Sequence, residues 1–241
     1  MRLHRFFCPE PVGNRTELSI RSSALVNQLR RVFRLKIGEE IVIFDGSGSD
    51  YKAAIARFDG ADCVVLEHLS PSPSRYMPKQ KIYLAAALIK KDHFEMVAEK
   101  ATELGVTDIV PLIAERSEKK ALNPERLQKI ITEASEQSGR GDVPKLHEVM
   151  PLSDFLAKLE KTEPKPTSLV FDPEGEVWSP SAGGLSGPAV VFVGPEGGWS
   201  PSELDLFHSN SAKMISLGRQ VLRAETAVIA ALSMVLLGQQ K

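Results

Sequence analysis

Residues 194–203 read Gly194-Pro195-Glu196-Gly197-Gly198-Trp199-Ser200-Pro201-Ser202-Glu203 and follow the apolar run 190–193. That run has the length and composition of a buried strand, so the glycines fall at its carboxyl end, where open α/β sheets take their ligands. Ser200 is followed by Pro201 and, three residues on, by Glu203. This is a capping box with proline at the first helical position, and it predicts a helix start. Strand, glycine loop and helix together bring backbone amides close to a ligand. No Lys-Ser or Lys-Thr follows the glycines, which excludes a P-loop, and GxGxxG is absent, which removes the usual dinucleotide fingerprint. Taken alone, the glycines also suit a plain tight turn that needs positive φ.

The C-terminal segment repeats the pattern. A short strand over 214–217 runs into Gly218, and Val221-Leu222-Arg223-Ala224-Glu225-Thr226-Ala227 opens a helix that is apolar on nearly every side over 228–237. A helix apolar all round must be covered all round, which predicts a subunit interface as well as a core. Its polar residues Arg223, Glu225 and Thr226 are confined to the first turns, near the glycine loops. Two readings apply to them: chemistry, or helix-dipole complementarity at Glu225 with Arg223 as its ion-pair partner.

Upstream, the spacing predicts strands over 82–89, 109–113 and 169–171 and helices over 93–104 (ending at Gly105), 125–138 and 152–159. Apolar strands alternating with amphipathic helices imply a parallel sheet with helices on its faces. The stretch 70–78, Ser-Pro-Ser-Pro-Ser-Arg-Tyr-Met-Pro, reads as a linker. Before it, β-rich runs at 41–44, 51–58 and 63–69 are separated by Asp45-Gly46 and Asp59-Gly60, the signals of a meander or small barrel.

The chain has 241 residues, 42% hydrophobic and 25% charged, which excludes disorder and collagen-like structure. Thirty Lys plus Arg against 31 Asp plus Glu leave a net charge of −1, so no basic footprint covers the whole chain. Locally, residues 1–36 carry Arg2, Arg5, Arg15, Arg21, Arg30, Arg31, Arg34 and Lys36 against Glu10 and Glu17. A segregated surplus of this kind makes a basic face even on a neutral protein, or else a solvated helix face. The apolar stretch 227–237 is too short to span a bilayer, which takes roughly 20 residues. The N-terminal residues lack a signal-type apolar region, so a cytoplasmic location is expected. Two cysteines far apart and five histidines without HExxH predict neither a disulfide scaffold nor a metal site.

These residues resemble a family. Gly194-Pro195-Glu196-Gly197-Gly198, Leu217-Gly218 and Leu222-Arg223-x-Glu225-Thr226-Ala227 are similar to the bacterial ribosomal RNA small-subunit methyltransferases that act on uridine N3, of the trefoil-knotted SPOUT class. The resemblance extends to Lys100-Ala101-Thr102-Glu103-Leu104-Gly105-Val106, Glu136-Gln137-Ser138-x-Arg140 and Arg5-Phe6-Phe7, so it covers the whole chain in order. Val221 departs from it, standing where an isoleucine is common.

The resemblance implies an α/β protein with a PUA-like RNA-binding barrel at 1–72 and a knotted methyltransferase domain at 73–241. It implies S-adenosyl-L-methionine as cofactor, 16S ribosomal RNA as partner, and a homodimer with the cofactor site at its interface. The implied cofactor contacts are Leu169, Phe171, Val193, Gly194, Pro195, Glu196, Gly197, Gly198, Leu217, Gly218, Leu222, Arg223, Thr226 and Ala227. On this reading Arg223, always protonated, stabilises charge on uracil oxygens, and Glu196 or Glu225 accepts the N3 proton. Arg2, Arg5, Arg30, Arg31, Arg34 and Arg140 are the candidates for gripping RNA. Two alternatives stay open: methylation at another RNA position such as a ribose 2′-hydroxyl, and a non-catalytic RNA-binding assembly factor.

Overall fold

A computed structural model describes residues 3–117, 122–177, 185 and 187–237. They form two compact units, residues up to 77 with 135–143, and 78–134 with the rest of the chain from 144.

The first unit holds β1 (Arg5–Phe7), β2 (Glu17–Arg21), α1 (Ser23–Asn27), β3 (Glu40–Phe44), β4 (Ser49–Asp59) and β5 (Cys63–Pro73). Its strand order is β1-β3-β4-β5-β2, with β1 parallel to β3 and the other pairs antiparallel. The expected meander is β3-β4-β5. Its turns use Gly46 and Gly60 at φ +86° and +76°, values only glycine takes without strain. Alternate side chains of these strands, among them Phe6, Ile20, Ile41, Ile43, Ile55 and Leu66, fill one core with Leu29.

The expected linker at 70–78 begins later than the composition suggests, because β5 continues to Pro73, with Pro71 opposite Tyr51 and Pro73 opposite Ser49. The prolines are tolerated because they stand two apart, on one edge of the strand. Ser74 N–H between them and the next segment donates to Gly48 O at 3.0 Å, while β2 covers only residues 63–67 of β5 on the other side. The missing N–H groups therefore cost no ladder bond.

The second unit holds β6 (Ile82–Ala87), α2 (Lys91–Leu104), β7 (Asp108–Ile113), α3 (Pro124–Ser138, whose last turn belongs to the first unit), β8 (Lys145–Leu146), β9 (Met150–Pro151), α4 (Leu152–Glu160), β10 (Thr167–Val177), β11 (Ala189–Val193), α5 (Pro201–Ser209), β12 (Lys213–Ser216) and α6 (Ala224–Leu232). All its strand pairs are parallel, in the order β12-β10-β11-β6-β7-β8 with β9 also on β7. The expected α/β sheet is present. β6 and β11 are buried along their whole length, as strands covered on both faces must be. α2 ends at Gly105 in the left-handed conformation, the C′ glycine that its sequence predicts.

After β12, at the sheet edge beyond β10, the chain returns so that α6 packs on β11 and α2. That return lays α6 against a strand and a helix formed earlier in the chain. It also covers much of the helix within its own chain: Val228, Ala231, Leu232 and Val235 are buried. The apolar circumference is thus shared between the chain's own core and a smaller outer face.

Candidate active site

A cavity of ≈ 280 Å³ opens where β11 and β12 end and β10 parts from β11, close to the size of small-ligand sites, which start at about 300 Å³. Three segments make its wall: 171–173 at the point where β10 leaves β11, the glycine loop 194–199, and 217–227 between β12 and α6. Each follows from local sequence. β10 pairs with β11 only as far as Phe171 and shifts register on β12 between Phe171 and Glu176, so Asp172 and Pro173 bulge into the opening. The glycine loop ends where the capping box forms in full, with Glu203 N–H donating to Ser200 Oγ at 3.2 Å and Ser200 N–H donating to Glu203 Oε2 at 2.8 Å. Gly218 sits at φ +120°, and its N–H donates to Ser216 Oγ at 3.2 Å.

Most expected cofactor contacts lie in this wall: Phe171, Val193, Gly194, Pro195, Glu196, Gly197, Gly198, Leu217, Gly218, Leu222 and Ala227. Leu169, Arg223 and Thr226 do not. Leu169 is fully buried within β10, behind the rim, while Arg223 and Thr226 are exposed on the start of α6. Asp172, Pro173, Trp199, Gln220 and Val221 line the cavity without having been expected. The signal that could have found Asp172 and Pro173 is their position just past a strand end, level with Gly194.

Arg223 is the N-cap residue of α6, and its carbonyl accepts from Ala227 N–H at 2.8 Å. The ionic partner of Glu225 is not Arg223. His93 Nδ1, on the first turn of α2, lies 3.6 Å from Glu225 Oε2, and that oxygen is buried without a hydrogen bond. Of the two expected carboxylates, Glu196 stands in the cavity wall and is exposed, whereas Glu225 faces His93.

The wall fits the expected cofactor chemically. Its charged side chains are Asp172 and Glu196, and it carries neither Lys nor Arg among the described residues. That sign disfavours a polyphosphate and suits a ligand bearing a sulfonium and an ammonium group. Leu217, Val221, Leu222, Ala224 and Ala227 provide an apolar side for a planar base. At Gly194 a Cβ would stand 3.2 Å from the Trp199 ring, so glycine there keeps the loop closely packed. At Gly198 and Gly218, both in the wall, a Cβ would meet nothing closer than 3.8 Å, so glycine there leaves space beside the backbone. Groups of His, Cys, Asp and Glu able to hold a metal ion are absent among the described residues.

The candidate RNA residues separate into two kinds. Arg30, Arg31 and Arg34 are exposed in the first unit, on the turn of π-helix at Gln28–Val32 and just after it, next to exposed Val32 and Ile37. Arg5 and Arg140 are internal to that unit. Arg5 stacks on Phe44 with its guanidinium carbon 3.8 Å from the ring centroid and binds both carboxylate oxygens of Asp50. Arg140 is 1% exposed and binds Asp142 through two bonds of 2.9 Å. Both side chains are committed to protein partners, which argues against the phosphate-gripping role expected of them. Arg2 lies outside the described residues.

The chain matches the RNA methyltransferase domain model over residues 76–236 and the RNA methyltransferase PUA domain model over residues 29–66. Among curated relatives, Ribosomal RNA small subunit methyltransferase E of Rickettsia conorii is 30% identical over 98% of this chain and 96% of its own length. The protein of the same name from Synechocystis is 32% identical over 89% of this chain and 71% of its own. Among solved structures, a small subunit methyltransferase E of Neisseria gonorrhoeae bound to S-adenosyl methionine superimposes with a TM-score of 0.85 at 28% identity, covering 96% of both chains. A Legionella pneumophila protein solved with the bound cofactor SAM gives 0.86 at 30% identity, covering 99% of this chain and 98% of that one. With its parallel sheet, its glycine-walled cavity and a family match across both units, the chain belongs to the ribosomal RNA small subunit methyltransferase E family of RNA methyltransferases.

Proposed function

We propose that this protein transfers a methyl group from S-adenosyl-L-methionine to N3 of a uridine in 16S ribosomal RNA of the small ribosomal subunit. The observation that carries the reading is the acid-walled, glycine-cradled cavity at the ends of β11 and β12, where β10 parts from β11. It coincides with the sequence motifs that suggest the cofactor, and two structural relatives are described with that cofactor bound.

When bound, the cofactor supplies an electrophilic methyl group on a cationic sulfur. The chain's part is positioning and charge control. Backbone of the glycine loop holds the ligand, with no side chain in the way at Gly198 and Gly218. Uracil N3 is a poor nucleophile until it loses its proton. Glu196, in the cavity wall, is the better placed acceptor, and Glu225 is better placed as a partner of His93. Arg223, exposed beside wall residues Leu222 and Ala224, is suited to stabilise negative charge developing on uracil oxygens. Exposed Arg30, Arg31 and Arg34 serve RNA phosphates.

The working unit is a homodimer formed on the outer faces of α2 and of the helical end of the chain, α6 with the turn of π-helix Ser233–Leu237 after it, where Met96 and Leu237 remain 45% and 49% exposed. Light scattering should give twice the chain mass of 26.4 kDa. Met96→Asp with Leu237→Asp should give a folded monomer. A wild-type monomer at micromolar concentration contradicts the dimer. Calorimetry with S-adenosylmethionine tests the cofactor: saturable binding supports the reading, and no binding overturns it.

A further inference from the structure

The loop after β7 reaches the glycine loop. Arg116 Nη1 donates to Gly197 O at 2.8 Å and to Trp199 O at 3.2 Å. Its neighbour Glu115 accepts from Ser202 Oγ at 2.6 Å, and the Glu115 N–H donates to Glu203 Oε1 at 2.9 Å. Two successive turns of the glycine loop and the start of α5 are therefore tied to one dipeptide some eighty residues earlier in the chain. We propose that Arg116 is a positioning residue that locks the backbone of the glycine loop in its cofactor-binding form.

Peptide planarity gives the argument. Fixing a carbonyl fixes the N–H that follows it, because both lie in one plane. The plane joining Gly197 to Gly198 is held by Arg116 on its carbonyl side and by Gly198 N–H donating to Pro195 O at 2.9 Å on the other. The plane joining Trp199 to Ser200 is held by Arg116 and by the Ser200 N–H bond to Glu203. Without Arg116 each plane keeps one tether. Gly197 and Gly198 have no side chains to restrict them, and Gly198 already occupies φ +67°, so rotation there meets little steric resistance. Glycine at 197 has a second use, since a Cβ there would stand 3.3 Å from Arg116 Cβ. The absence of a side chain lets the arginine stem lie along the loop. Arg116 approaches the loop from outside and is not in the cavity wall, so it acts through the backbone it holds.

The proposal rests on the loop being the cofactor site, and its test separates the two. Arg116→Ala should speed amide hydrogen exchange at Gly198 and Ser200 in the ligand-free protein while leaving the β6 and β11 amides protected. The same variant should weaken S-adenosylmethionine binding by about tenfold, the scale of one or two charged hydrogen bonds. It should raise KM for the cofactor more than it lowers kcat. Arg116→Lys should recover part of the affinity, since an ammonium can still reach one carbonyl. Unchanged exchange at Gly198 and Ser200 together with unchanged affinity in Arg116→Ala overturns the proposal. Wild-type protein that fails to bind S-adenosylmethionine contradicts the functional reading instead, and hydrogen exchange then still decides the role of Arg116.

Discussion

Arg5 donates from Nε and Nη2 to the two carboxylate oxygens of Asp50, at 2.9 and 2.5 Å, with side chains only 10% and 17% exposed. Ser74 Oγ donates to the same carboxylate, and Arg5 also reaches the Ser135 carbonyl. The pair therefore ties β1 to β4 and to the segment 135–143 inside the first unit. Removing one partner leaves the other charge half-buried and unmatched. Arg5→Ala and Asp50→Ala should each lower the stability of this unit by about 3 kcal/mol in urea unfolding. Stability within 0.5 kcal/mol of wild type would return Arg5 to the surface-arginine class (~0–1 kcal/mol).

Arg30, Arg31 and Arg34 should behave in the opposite way. Their exposure predicts Arg→Ala variants with nearly unchanged stability, weaker RNA binding and a shallower dependence on salt. Arg223→Ala should instead cut single-turnover methyl transfer by about 100-fold, the scale for losing one preorganised donor, with a much smaller loss of RNA affinity. Filter binding and methylation on the same variants separate the two groups. Normal transfer by Arg223→Ala would leave it only its place at the N-cap of α6.

Gly218 combines φ +120° with a place in the cavity wall. Gly218→Val should abolish measurable S-adenosylmethionine binding in calorimetry while the circular dichroism spectrum is kept, because the strain falls on a loop outside the sheet. Wild-type affinity in that variant would show that the loop does not contact the ligand.

The other end of the parallel sheet carries an acid-stability element. Asp108, at the start of β7, accepts from Thr107 Oγ1 at 2.8 Å and pairs with His147 Nε2 at 2.7 Å, with Lys81 at 3.9 Å. Burial alone would raise its carboxyl, but the His147 and Thr107 hydrogen bonds and the Lys81 charge outweigh burial and hold it below the usual carboxylate range. A depressed folded-state value means the contribution is present above the unfolded pKa, about 3.9, and is lost as pH falls through the folded value. Asp108→Asn should therefore be less stable than wild type at pH 6, with the gap closing below about pH 4. A gap independent of pH would assign the residue a packing role only.

Much of the second unit is legible in the sequence because its signals are local. The apolar runs at 82–89, 109–113 and 190–193, the glycine at 105 and the capping box at Ser200 each name an element without reference to anything distant. What escapes depends on contacts between remote residues. Arg5 and Asp50 lie 45 positions apart, so an arginine that reads as a phosphate ligand turns out to have an internal partner. Residues 135–143 join the first unit through Glu136 accepting from Phe7 N–H and Gly141 N–H donating to Tyr76 O, pairings no periodicity reveals. The apolar helix at the C-terminus has the right composition for an interface. Yet Leu232 is wholly buried in its own chain, and which sides of a uniformly apolar helix face inward is settled only by the elements that cover it. Arg116 carries no pattern at all; only the loop it holds makes it visible.

The most direct test is methyl transfer from labelled S-adenosylmethionine to unmodified 16S ribosomal RNA or small subunits, followed by nuclease digestion and mass mapping of the product. The proposed N3 methylation predicts a single 3-methyluridine, formed by wild-type protein and lost in Gly218→Val. A methyl group on a ribose 2′-hydroxyl or on another base, or no transfer by protein that binds both the cofactor and the RNA, would contradict it.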